Sequence, residues 1–477
     1  MIARAVTFWL SGLVAHRLDV EAHLHRGVPS FVVVGLADRA VQEARERVRS
    51  GIGSAEYEFP SSRLTLNLAP ARERKQGSGF DLAIALAVLA ASGQAPGERV
   101  ARVAAAAELG LDGRLRPVGG ALAIAEAAGR VGLDGLLVAP ENAAEARLPG
   151  AVPVLPARDL RHAVAILEGR AEPVEVGDPA VAPRSPVPDL ADVHGQAGAR
   201  RAVEIAAAGG HNLLMIGPPG SGKTLLARRL PGLLPPPTIS EEIEITRIHS
   251  AAGLLPAGVR ISERPFRAPH HSASVAALVG GAALRPGEVT LAHRGVLLLD
   301  ELPEFTRPAL EALRLPLEDG EVLISRAAGA VRMPARCLVV AAMNPCPCGH
   351  LGDGAVECRC SIPRMTAYRM RISGPLLDRF DLRIEVPRAA AHGDPGESTT
   401  AVGPRVAAAR ELLAAVGSHH LPEAEALLQR ATETRLLSGR GAARARRVAA
   451  TVAALSGRDQ VEADDVAEAL SYRMELR

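Results

Sequence analysis

Residues 212–230 read NLLMIGPPGSGKTLLARRL, and the fold follows from this stretch. Apolar Leu213–Ile216 predict a buried strand. The loop from Gly217 to Thr224 comes next, and the chain then resumes with helical spacing. Strand, glycine loop and helix in that order form a phosphate-binding loop. Gly217, Pro218, Pro219, Gly220, Ser221 and Gly222 turn backbone N–H groups inward at a helix N-terminus, where anions are held. Lys223 reaches toward β- and γ-phosphates, and the Thr224 hydroxyl suits Mg2+. The chain has one other lysine, Lys75, and carries nearly all its positive charge on arginine. An ammonium is a compact point charge that a guanidinium does not replace. ATP and Mg2+ are the expected cofactors.

Downstream stretches supply the rest of a nucleotide site. Gly295–Phe305, GVLLLDELPEF, predicts a strand buried on both faces that ends in acids. Asp300 is expected to hold Mg2+ through water, and Glu301 to orient or deprotonate the attacking water. Leu338–Pro345, LVVAAMNP, predicts a third strand ending in Asn344, an amide placed to sense the γ-phosphate. The other reading of Asn344 is a turn former before proline. Ser373–Pro387, SGPLLDRFDLRIEVP, puts Arg379 just before a further strand. It suits an arginine finger offered to a neighbouring subunit's ATP; the alternative is a salt bridge with Asp378 or Asp381. In SGRGAARARR (438–447), Arg440 is the first choice for a lid arginine reaching the γ-phosphate, ahead of Arg444 and Arg447.

The chain has 477 residues, 48 % of them apolar and 23 % charged, which suits two or three domains with their own cores. A net charge of +2 gives no global basic signature, so nucleic-acid binding must rest on local arginines. The opening MIARAVTFWLSGLVAHRLD reads as a first strand and turn rather than a signal peptide, and no apolar run is long enough to span a membrane. From 1 to about 170 strands and helices alternate. Ser30–Leu36 and Arg63–Ala69 predict strands, Asp38 a helix N-cap, Phe80–Gly93 a buried helix and Leu133–Asn142 a strand. Proline-rich 171–191 reads as a linker, 192–388 as the ATPase domain, and 389–477 as a second linker, broken at RAAAHGDPGESTTAVGPR, followed by a helical lid. Leu317–Val340 reads as a hairpin with Ala328 and Gly329 at its tip. Arg326 and Arg332 flank that tip and can grip phosphates without reading sequence; the alternative is an ordinary surface hairpin with two arginines. At 2 % aromatic residues, base stacking is not the expected mode.

Four of the five cysteines fall in AAMNPCPCGHLGDGAVECRC (341–360), directly after Asn344. Cys346, Cys348, Cys358 and Cys360 form two close pairs across a glycine-rich loop, a set able to hold a structural Zn2+. His350 can stand in for one ligand. Redox-sensitive or merely structural thiols are the alternative, and Cys337 is read as a core residue of a strand. Disulfides are weaker in a reducing cytoplasm, the expected location.

NLAP (67–70), RKQGSGFDLAIAL (74–86), RPFRAPHHS (264–272), RPGEVTLAHRGVLLLDELPEF (285–305), AAMNPCPCGH and ISGPLLDRFDLRIEVPR (372–388) together resemble the ComM/YifB family of magnesium-chelatase-like AAA+ ATPases over nearly the whole chain. The resemblance implies an α/β multidomain protein: a Lon-protease-like N-terminal domain over 1–170, an AAA+ module with a helix-2 insert, and a helical lid. It places Asn344 at the sensor 1 position and the hairpin in a central pore. It implies a homohexameric, DNA-dependent ATPase that drives branch migration of branched or single-stranded DNA in recombination during natural competence, alongside recombination proteins. The Lon nucleophile position falls on Gly79 after Lys75-Gln76-Gly77-Ser78, and Leu122 and Ile124 stand where lysines would be. Without nucleophile and base, no peptidase activity is expected. His270 and His271 match the family signature, and no role follows from their chemistry. The competing class is an ATPase that remodels a protein complex, as a magnesium-chelatase subunit would.

Overall fold

The computed structural model describes residues 1–35, 39–70, 79–184, 186–281, 284–326, 329–388, 395–415, 418–434 and 437–473, without the side chains of 39–43, 325, 326 and 329. Lys75, Gln76, Gly77, Ser78, Leu36 and Asp38 lie outside the described residues.

The first unit is a seven-stranded mixed sheet. Its strands are β1 (Ile2–Ser11), β2 (Val14–His25), β3 (Ser30–Val34), β4 (Arg63–Ala69), β5 (Val103–Ala106), β6 (Gly135–Val138) and β7 (Val154–Pro156), in the order β3-β4-β2-β1-β5-β6-β7. β1 pairs antiparallel with β2 along its whole length, from Ile2 opposite His23 to Ser11 opposite Val14. One face is covered by α1 (Arg39–Ser54) and α2 (Asp81–Ala91). In α2 every residue but Ala90 is buried, as a helix apolar all round must be. Its Asp81 is neutralised by the Arg47 guanidinium at 2.7 Å. α3 (Ala121–Arg130) and α4 (Pro140–Arg147) pack on the other face, and α5 (Leu160–Leu167) extends the first layer.

The second unit is an all-parallel sheet. β8 (Leu213–Ile216), β9 (Phe266–Arg267), β10 (Val296–Leu299), β13 (Leu338–Met343) and β14 (Leu382–Glu385) lie in the order β9-β10-β13-β8-β14. Continuous apolar runs such as VLLL and LVVAAM are buried on both faces, which is why they do not alternate. α6 (Ala197–Gly209) covers one face, and the C-terminal helices α10 (Thr399–Ala415), α11 (Pro422–Glu433), α12 (Gly439–Leu455) and α13 (Ala463–Ser471) stack behind it in the same core. On the other face lie α9 (Ile362–Arg369), through Tyr368, and the inner side of an antiparallel hairpin, β11 (Glu321–Arg326) and β12 (Gly329–Pro334). The glycine-rich loop leads from β8 into α7 (Lys223–Ala227), and α8 (Ile239–Ala251) faces the first unit. α8 starts with a capping box, Thr238 and Glu241 bonding each other's backbone N–H.

Three expectations are corrected. Arg326 pairs with Gly329, so Gly329 belongs to the strand and not to the tip, and Ala328 lies outside the described residues. The break before the C-terminal helices ends earlier than its glycines and prolines imply. α10 already begins at Thr399 and carries Pro404 inside it, because Val402 and Val406, one turn apart, are both buried against the core. Tertiary burial overrides the local stop signal. The linker is also less free than its prolines imply: Ala180–Val181 pairs in parallel with Val259–Arg260.

Candidate nucleotide site and cysteine loop

The ends of β8, β10 and β13 bring the sequence-predicted groups together. Gly217 stands where a Cβ would lie 2.1 Å from the Val386 carbonyl oxygen, so only glycine fits the close approach of β14. Gly220 and Gly222 have φ of +75° and +93°, the left-handed region that glycine adopts freely. The Lys223 ammonium is buried under the loop. It donates to the carbonyls of Gly217 at 2.7 Å and Pro218 at 2.9 Å, and reaches Asn344 Oδ1 at 3.4 Å. Burial pushes its pKa down, and the nearby Asp300 carboxylate opposes that shift. The Thr224 hydroxyl donates to Asp300 Oδ2 at 2.7 Å. Asp300 Oδ1 accepts from the Glu301 N–H at 2.9 Å. Glu301 itself is held at φ +53°, a left-handed conformation that costs a non-glycine residue about 1 kcal/mol and that clusters at functional sites.

Two participants were not assigned from sequence. His271, in the loop after β9, places Nδ1 3.1 Å from Glu301 Oε2. Its ring packs against that of His270, 4.0 Å between centroids. Gln196, at φ +53° ahead of α6, donates its amide to the Ser221 carbonyl at 3.2 Å and also to Pro387 O, tying the loop to the end of β14. No local pattern marks either contact; each joins residues at least 25 positions apart.

Arg379 is buried, with 6 % of its side chain exposed, and its guanidinium pairs with Glu318. Neither expected alternative partner takes it. Asp378 faces Arg383, and Asp381 lies 3.6 Å from His211 Nδ1 and 3.1 Å from Arg447 Nη2, with Arg444 at 3.5 Å. Burial works against the Asp381 carboxylate, but His211 and the two arginines win and hold its pKa below the usual range. That network engages Arg444 and Arg447. Arg440, in the first turn of α12, is exposed.

The four thiols converge. Cys346 Sγ is 3.4 Å from Cys348 Sγ and 3.6 Å from Cys358 Sγ, and Cys348 to Cys358 is 3.7 Å. All four sulfurs, Cys360 included, lie within 4.8 Å of one another. Four sulfurs about 2.3 Å from a central Zn2+ stand about 3.8 Å apart at tetrahedral corners, so the donor set fits that ion. These separations are too long for disulfide bonds. Backbone N–H groups of His350 and Arg359 point at the Cys348 sulfur and bring its pKa down to about 6. The Cys360 N–H favours the Cys358 thiolate, but desolvation and the neighbouring sulfurs push it up to about 12. His350 is not part of the cluster: its Nδ1 meets Asp353 at 2.9 Å, and Asp353 in turn binds Arg388. The loop lies against the nucleotide site, where Gly349 leaves no room for a Cβ beside Pro219. Cys337 sits just ahead of β13 and packs at the border of the core.

On the hairpin, Arg332 is 77 % exposed, with Glu321 3.6 Å away; the Arg326 side chain lies outside the described residues. Among the described residues no helix is long and apolar enough to cross a membrane.

Comparison with known proteins agrees with this architecture. Residues 189–393 match the family model described as magnesium chelatase, subunit ChlI. Residues 20–142 match subunit ChlI of Mg-chelatase, and 396–473 its C-terminal part. The competence protein ComM of Haemophilus influenzae is 42 % identical over 98 % of this chain and 96 % of its own length. YifB of Escherichia coli is 45 % identical over 84 % of this chain and 80 % of its own. A shorter stretch, 22 % of this chain and 12 % of the relative, is 33 % identical to the maternal DNA replication licensing factor mcm3 of Xenopus laevis. With family models along most of its length and these two relatives over most of theirs, the chain belongs to the ComM/YifB family of magnesium-chelatase-like AAA+ proteins.

Proposed function

We propose that this protein is an ATP-hydrolysing motor that moves on DNA and displaces branch points during recombination of incoming DNA. The observation that carries it is the meeting of Lys223, Thr224, Asp300, Glu301 and Asn344 at the ends of three adjacent parallel strands. Lys223 and the loop N–H groups bind the phosphates. Thr224 and Asp300 would hold Mg2+, which neutralises phosphate charge when bound. Glu301 takes or orients the proton of the attacking water, with His271 fixing its carboxylate, and Asn344 positions that water. Arg379 serves a neighbouring subunit's ATP in a homohexamer once its pair with Glu318 opens, and Arg440 closes from the lid. Cys346, Cys348, Cys358 and Cys360 hold a structural Zn2+ that stiffens the loop against Pro219. The first unit has the Lon-like fold without the peptidase.

Three features favour DNA as the track: the exposed Arg332 on the hairpin, the likeness to a competence protein and the shorter likeness to a replication licensing factor. The magnesium-chelatase family description favours a second reading, the same motor acting on a protein complex. The two separate in one assay: ATP hydrolysis with and without branched, forked and single-stranded DNA. The DNA reading expects several-fold stimulation, weaker at high salt and absent in Lys223→Ala. Hydrolysis indifferent to every DNA rejects it in favour of a protein substrate.

A further inference from the structure

The β1–β2 turn of the first unit reaches into the second. Gly12 sits at φ +62°, and a Cβ there would lie 2.7 Å from Met333 Cε and 2.9 Å from Val331 Cγ1. Leu13 beside it is 6 % exposed and packs in the same cluster as Val322, Ile324, Val331 and Met333. These four form the inner face of the β11–β12 hairpin, Val322 opposite Met333 and Ile324 opposite Val331. The outer face carries Leu323 and Arg332, paired across the strands and exposed.

A two-stranded hairpin alone is marginally stable, so its direction depends on what backs its apolar side. Here the backing includes the tip of the β1–β2 ladder, the longest among the described residues and central in its sheet. The first unit is fixed at a second point. Glu126 pairs with Arg247 at 3.2 Å, and the Ser250 hydroxyl donates to buried Glu145 at 2.5 Å while accepting from the Gly120 N–H. Both partners lie on α8. The same helix holds His293 and Arg294 through Glu244, and His293 Nδ1 accepts from the Arg336 N–H at the hairpin's exit. Turn, hairpin root and α8 therefore share one frame.

We propose that the Gly12-Leu13 turn is the abutment that sets the angle of the arginine hairpin, which makes the first unit a positioning element for DNA engagement. This rests on the reading of the hairpin as the DNA grip. Gly12→Val drives its side chain into Val331 and Met333. The expected result is unchanged basal ATP hydrolysis, a loss of about fivefold in DNA stimulation, and faster tryptic cleavage at Arg332. If Gly12→Val misfolds, Leu13→Ala removes the contact without strain and is read the same way, expecting lost stimulation and faster cleavage. Wild-type stimulation and cleavage in these variants would overturn the abutment, as would equal loss of basal and stimulated hydrolysis. If DNA fails to stimulate the unaltered protein, the DNA reading falls, and the cleavage rates still decide the abutment.

Discussion

Glu301 sits two residues past the buried strand β10, in a backbone conformation that non-glycine residues avoid, with its carboxylate against His271. A group that orients or deprotonates water contributes about 10²–10⁴ in rate. Glu301→Gln should therefore keep nucleotide affinity and lose hydrolysis by about a hundredfold or more, read as kcat against nucleotide Kd. His271→Ala should lower kcat less, about tenfold, and also leave affinity unchanged; a changed affinity with full kcat would assign His271 to binding. The residues of the phosphate loop were legible in the sequence because their chemistry is local: the glycines, Lys223 and Thr224 act within one turn of chain. His271 and Gln196 were not, because each acts on a partner that only the sheet order brings near. Arg379 could be suspected of an ion pair, but its partner Glu318 was hidden for the same reason.

At the scale of elements, the continuous apolar strands read correctly from sequence, since burial on both faces leaves an unmistakable run. The start of α10 did not, because Val402 owes its helical place to packing that no local signal encodes. The hairpin was visible, but its register was not: alternation identifies two strands, while the turn is fixed by which residues face the core. The cysteine loop is too short to own a hydrophobic core, and its four sulfurs lie within 4.8 Å of one another, a donor set through which a bound metal ion would hold its shape. The protein purified without chelator should carry about one Zn2+ per chain. Cys358→Ser or chelation should remove it, lower the melting temperature and slow ATP hydrolysis through the contact at Pro219. Elemental analysis and thermal unfolding check this; full stability with no bound metal would leave the cluster as free thiols.

At the scale of the molecule, one face of the parallel sheet carries α6 with the C-terminal helices behind it and the other the hairpin, so the candidate nucleotide groups and the candidate DNA grip share the same strands. β13 joins them most directly: it follows the hairpin and ends beside Asn344, which meets Lys223. A change at the phosphates has a short path to the hairpin through that strand. The seven-stranded unit braces the hairpin from behind, an arrangement invisible in sequence because residues 12 and 333 meet only in the fold. The most direct test of the account follows a labelled three-strand DNA junction with the purified protein and ATP. The account predicts movement of the branch point that requires hydrolysis and disappears in Lys223→Ala and Glu301→Gln. Vigorous ATP hydrolysis with junctions that stay in place would contradict it.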